Sequence, residues 1–255
     1  MKFKIIFLIS LLLLGYGCGK KATGPDDNSE TLLTDDEQMT IIAAEVAANN
    51  GGVMTELSMA TSIAKGGYGG LAKPSSYDTT FTRGWITYSV SLSFYTAQGI
   101  EQVFYVPNVT DKVIYNGTLT GKRTSTNPDM EIDLNKSASL VVTGITSGVL
   151  TINGTTTNNS SYKFSSRRGS IEAESHSSHV ITNVVIDKNS NSYIPQSGKI
   201  ESTFHGTYHK LGVVQTKDVE YNFTITIEFT GGNQVKVTLP SGTQFTLDIL
   251  TGDFS

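Results

Sequence analysis

The chain is predicted to be mainly β: an antiparallel β-meander, either a curved sheet or a two-layer sandwich, preceded by an N-terminal helical hairpin. Three observations predict it. Beyond residue 81 hydrophobic side chains alternate with a period of two over long stretches. Ser, Thr, Asn and Gly are abundant while charged residues make up 16% of the chain, a balance common in exported β proteins. The segments between strands are short turns of Gly, Asn and Pro, too short for the crossover helices that parallel strands need.

In chain order, Met1-Lys2-Phe3-Lys4 is a short cationic start, Ile5 to Leu14 is apolar apart from Ser10, and Gly15-Tyr16-Gly17-Cys18 places small residues before the single cysteine. That is the pattern of a secretion signal. Its apolar run, Ile5 to Leu14, falls short of the roughly 20 residues that span a bilayer. Residues 1–17 therefore read as a signal peptide. The stretch resembles the signal of bacterial lipoproteins, in which a peptidase cuts before a cysteine already diacylated on its sulfur. The resemblance implies lipidation at Cys18, a membrane partner through the N-terminal lipid, and a cell-envelope location. Gly19 in place of aspartate implies onward transport to the outer membrane, facing the periplasm or the cell surface. Each buried acyl methylene contributes about 0.8 kcal/mol, so several chains hold a protein firmly.

Residues 18–33 read as a flexible tether: the stretch contains Gly-Pro and two adjacent aspartates and has no hydrophobic period. Residues 34–70 are predicted to form the helical hairpin. Thr34-Asp35-Asp36-Glu37 is a capping box with acids at the positive end of the helix dipole. Met39, Ile42, Ala43 and Val46 then share one face, and Asn49-Asn50-Gly51-Gly52 ends the helix. A second stripe of Met54, Leu57, Ala60 and Ile63 or Ala64 runs from Val53 to Lys65 before the glycines at 66–70. Neither helix is long enough to stand alone in water, so each needs a surface to cover.

The β-domain is placed at 81–255. In Trp85–Tyr95, Ile86, Tyr88, Val90, Leu92 and Phe94 alternate with Thr and Ser, and Val219 to Phe229 does the same. Gln234–Leu239 and Gln244–Leu250 flank Pro240-Ser241-Gly242 as a hairpin. Shorter strands are expected near 101–106, 112–120, 130–134, 139–145, 148–156, 161–165, 169–175, 179–187 and 199–210. Gly117, Gly154 and Gly206 inside these stretches are expected at bulges or bends.

Loss of residues 1–17 removes Lys2 and Lys4, leaving 17 basic against 23 acidic side chains, a net charge of −6. Such a chain has no footprint for nucleic acid, and Lys163, Arg167 and Arg168 read as a solvated turn. With one cysteine, no disulfide forms within the chain. Asp187, Asn189 and Asn191 carry oxygens at alternate positions like the first half of a calcium loop, but Ser192 and Gly198 stand where the turn glycine and the closing glutamate belong. The expectation is a polar turn and no metal. His176, His179, His205 and His209 read as residues of polar faces; cross-strand convergence of His176, His205 and Glu174 is the remaining zinc arrangement. Ser62-Ile63-Ala64-Lys65 matches the Ser-x-x-Lys of penicillin-binding proteins without its companion motifs.

No catalytic residues and no cofactor are expected. The function read from the sequence is a non-enzymatic binding or structural module displayed from a lipid anchor, with ligand-binding residues not readable. The alternatives are a carrier holding a lipid or other hydrophobic ligand in a β-cavity, in which the dry faces of 85–95 and 219–229 would line a void, and an envelope hydrolase, which needs converging Ser, His and acid side chains in a cleft.

Overall fold

The computed structural model describes residues 33–66, 78–126, 129–166, 169–190, 193–212 and 216–255. Cys18, the signal and nearly all of the tether lie outside these residues. Thr31–Ser255 form one compact unit, in which helices and sheet share a single hydrophobic core.

Helix α1 spans Asp35–Val46, a 3-10 turn follows at Ala48–Asn50, and α2 spans Val53–Ala64. The expected capping box is present: Thr34 Oγ1 accepts the Glu37 N–H at 3.2 Å and Glu37 Oε2 accepts the Thr34 N–H at 3.0 Å. Removing the cap oxygen in Thr34→Ala should cost about 1 kcal/mol while Thr34→Ser costs little. Urea melts of the two variants measure the difference, and equal midpoints would refute a capping role. The α1 stripe of Met39, Ile42, Ala43 and Val46 and the α2 stripe of Leu57, Ala60, Ile63 and Ala64 are buried as expected. Glu45 and Glu56, absent from both stripes, are buried with them.

Eleven strands follow: β1 Asp78–Arg83, β2 Ile86–Thr96, β3 Glu101–Gln102, β4 Thr110–Thr126, β5 Asp129–Thr143, β6 Val149–Ser166, β7 Gly169–Asp187, β8 Ser197–Gly212, β9 Thr216–Glu228, β10 Gln234–Thr238 and β11 Gln244–Asp248. They make one antiparallel sheet in sequence order, with β3 paired to β2 off the main path. Of the two arrangements expected, the single sheet is the one formed. It also curls. Strands β5 and β11 lie six places apart, about 29 Å in a flat sheet, yet Lys136 of β5 donates to the Gly51 carbonyl and the Ala48 N–H donates to that of Ile249, just past β11. The dry faces of β2 (Val90, Leu92, Phe94) and β9 (Val219, Tyr221, Ile225, Ile227) therefore join the helices in one core.

Three pairs of predicted short strands are each a single long one: 130–134 with 139–145 in β5, 148–156 with 161–165 in β6, and 169–175 with 179–187 in β7. The predicted breaks fall where inward-facing residues are polar, at Lys136, at Asn158 and Ser160, and at Ser177, so the apolar alternation lapses although the strand continues. The predicted strand 101–106 shrinks to β3. Beyond it, Val103 and Phe104 are 75% and 63% exposed; one edge of β2 is taken along its length by β4. β1, not predicted as a separate strand, pairs with the opposite edge of β2 from Asp78↔Ser91 to Arg83↔Ile86.

Of the three interior glycines only Gly154 sits at a bulge, where the β6–β7 register shifts between Ile152 and Gly154. Its φ of 143° and the 2.1 Å that would separate a Cβ from the Ser139 carbonyl oxygen exclude a side chain there. Gly117 and Gly206 are in regular pairing and serve a different end. They leave room for tyrosine hydroxyls, since a Cβ would lie 2.3 Å from that of Tyr115 and 2.7 Å from that of Tyr221.

Candidate functional site

Two polar assemblies stand out, one beneath the helices and one on the opposite face of the sheet. The inner one centres on Glu45 of α1, three residues beyond Ile42 and so carried onto the buried face. Its Oε1 accepts from the Tyr162 hydroxyl at 3.0 Å, and its Oε2 accepts from Ser177 Oγ at 3.0 Å and from the Asn158 amide. Lys136 Nζ lies 3.8 Å from the same carboxylate and donates to the Gly51 carbonyl at 2.7 Å. Strands β5, β6 and β7 thus each send one or more polar side chains to a single helical acid. Burial, and then the nearby Glu45 charge, hold the Tyr162 phenol well above its ordinary pKa.

Ser177 Oγ is also 3.1 Å from His179 Nε2, and His179 Nδ1 is 2.8 Å from Ser202 Oγ. Because the Ser177 hydroxyl donates to Glu45, His179 Nε2 must donate to Ser177, leaving Nδ1 to accept from Ser202. The chain of donors runs Ser202, His179, Ser177, Glu45. Burial lowers the His179 pKa to about 4, so the imidazole is neutral at physiological pH. His179 thus departs from the expectation of a polar-face residue. It shares the inner face with Ile181, and serine hydroxyls on either side satisfy both ring nitrogens. The order resembles a nucleophile–base–acid relay with a serine in the acid's place, but Ser202 is 0% exposed and Glu45 1%. As folded, no substrate atom reaches it, and the assembly serves to hold α1 on the sheet.

A second acid, Glu56 of α2, accepts the Tyr115 hydroxyl at 2.9 Å. Its other oxygen is buried without a hydrogen-bond partner. Burial raises its pKa despite Tyr115 and Lys136 nearby.

The outer face is built from cross-strand rungs of short polar residues. One rung runs from Thr80 on β1 through Ser89, Thr118, Ser137, Thr157, Ser178 and Thr203 to Thr224 on β9, one hydroxyl per strand. Neighbouring hydroxyls bond across strands, Thr80 to Ser89 at 3.0 Å, Ser137 to Thr157 at 2.7 Å and Thr203 to Thr224 at 3.1 Å. A trough of about 500 Å³ open to solvent lies over the β1–β6 part of this rung, lined by Ser, Thr and Asn with Asp78 as its acid and with Val90, Gly117 and Ala138 among them. A second hollow, about 940 Å³, lies where β9 and β10 share only the Ile227↔Val237 bridge, and Glu228 and Lys236 line it among threonines and glutamines.

The sequence-predicted site residues are dispersed. Cys18 and Asn191 lie outside the described residues. In the β7–β8 turn Asp187 Oδ1 accepts the Asn189 N–H at 2.8 Å, a polar turn closed on itself. Lys65 of the Ser-x-x-Lys match donates to the Ser190 carbonyl at 2.7 Å and stands 4.8 Å over the Tyr193 ring. Lys163 pairs with Glu172 at 2.5 Å. His209 bonds Asp218. His176 and His205 face each other across β7 and β8 with stacked rings. Among the described residues no group of three or more His, Cys, Asp or Glu is arranged to hold a metal ion, and no helix is long and apolar enough to cross a membrane. Sequence reasoning missed Glu45, Lys136, Asn158 and Ser177. The available signal was their parity, since Lys136 continues the even-numbered face of Ile132, Leu134, Ala138 and Leu140. Compared with protein-family models, curated proteins and solved structures, the chain matches none of them.

Proposed function

We propose that this chain is a lipid-anchored protein of the cell envelope whose folded unit is a non-enzymatic binding or structural module, moored through Cys18 and presenting the outer face of its sheet. The observation that carries the presentation is the division of labour between the two faces. The inner face is occupied by the chain's own helices, while the outer face offers polar rungs and two solvent-open hollows. A carrier would use the inner face; here the dry sides of β2 and β9 are in contact with core residues. A hydrolase would need its serine in reach of substrate, and Ser202 is sealed. The mooring rests on the signal pattern that ends at Cys18 and on the polar composition of the segment after it.

Fractionation of expressing cells tests the anchor. Wild type should sediment with membranes and incorporate labelled fatty acid, whereas Cys18→Ser should lose both. A Cys18→Ser variant that still sediments fully with membranes would overturn the mooring. Native mass spectrometry of the Cys18→Ser variant tests the module: the protein should be recovered free of lipid, and stoichiometric non-covalent lipid would restore the carrier.

A further inference from the structure

We propose that the outer face of the sheet binds a divalent transition ion of zinc type between His176 and His205. The inference is independent of the anchor. The two residues are direct partners in the β7–β8 ladder and belong to a rung that reads Asn159, His176, His205, Asn222 across β6 to β9. His176 Nδ1 lies 2.7 Å from Asn159 Oδ1. An amide oxygen only accepts, so Nδ1 carries the hydrogen and Nε2 is left with the lone pair that a metal needs. A hydrogen bond on the nitrogen away from the metal fixes the tautomer of ligating histidines generally.

The spacing decides the matter further. A zinc–nitrogen bond of 2.0–2.1 Å, plus about 1.1 Å from nitrogen to ring centre, puts two imidazoles on a tetrahedral ion about 5 Å apart, centre to centre. The His176 and His205 ring centres are 5.0 Å apart. No strand has to move. The rings are near parallel, 20° between planes, so their lone pairs meet only after one ring turns about its terminal torsion, which for histidine is broad and soft. His205 is exposed and free to turn. The remaining positions fall to water. Two imidazoles with oxygen donors suit zinc or copper, whereas calcium and magnesium take all-oxygen shells. The other histidines do not join the site, since His209 stands four residues from His205, about 13 Å along β8, and His179 is enclosed.

Zinc titration of the full chain in detergent, followed calorimetrically at pH 7.5, should show one ion per chain. His176→Asn and His205→Asn should each weaken binding by about tenfold or more, and His209→Asn should leave it unchanged. Absence of saturable binding, or equal affinity in His205→Asn and wild type, would overturn the site. Should the variants misfold, nitrogen-15 spectra of the wild-type rings decide: zinc must shift two histidine Nε2 signals that share a binding isotherm, and shifts confined to His209, or none, would refute the proposal.

Discussion

Glu45→Ala is expected to lower the unfolding free energy by about 3–5 kcal/mol, the range for removing one partner of a buried ion pair. The carboxylate is 1% exposed and Lys136 5%. Its loss strips Tyr162, Asn158 and Ser177 of their acceptor and leaves the ammonium with the Gly51 carbonyl as its remaining partner. An unsatisfied buried group costs more than a bond gains, so the damage exceeds the net worth of the pair. Glu45→Gln keeps an acceptor oxygen and should cost less. Urea unfolding of both variants measures the effect, and a double-mutant cycle with Lys136→Ala isolates the coupling. A loss under about 1 kcal/mol for Glu45→Ala would show that the network does not hold α1 in place.

The second large effect is acid sensitivity from His179. Its imidazole binds a proton near 6.5 when the chain is unfolded and at about 4 when folded. Between those values the unfolded chain holds more protons, so stability rises with pH. The contribution of His179 is fully present above pH 6.5 and falls by about 3 kcal/mol on going down through pH 4, at 1.36 kcal/mol for each pH unit of difference. The charged neighbours are Glu45, which favours the imidazolium, and Lys136, which opposes it; burial outweighs both. Other groups contribute over the same range. In Glu37 burial is outweighed by Lys217 and the Thr34 N–H, and the lowered pKa adds acid lability, while the raised pKa of Glu56 works against it. The comparison of wild type with His179→Gln therefore isolates the residue. The amide can bond both serines without titrating, so the variant should lack this part of the slope. Parallel stability curves for the two proteins from pH 7 to pH 4 would dismiss the assignment.

Much of the architecture could be read from local pattern, and the reason is geometric. Alternation in β2 and β9 reports a face directly, because successive side chains of a strand point opposite ways. The capping box at Thr34 reports a helix start because its two hydrogen bonds close within four residues. In the middle strands the same logic failed at informative places. Lys136, Asn158, Ser160 and Ser177 point inward, so a reading that equates inward with apolar ends a strand where the buried network begins. The gaps between the predicted short strands were themselves a trace of the assembly around Glu45.

Elements, their order and the antiparallel turn-by-turn connection follow from residues near one another in the chain, where sterics, capping and period act over a few positions. Tertiary structure alone decided that Glu45 meets Ser177, 132 residues away, that His176 lies opposite His205, and that one hydroxyl rung crosses eight strands. Those contacts depend on register summed over successive ladders and on the curl of the sheet about the helices. A one-residue slip in any strand reverses which side chains face in, so no local stretch of sequence contains them.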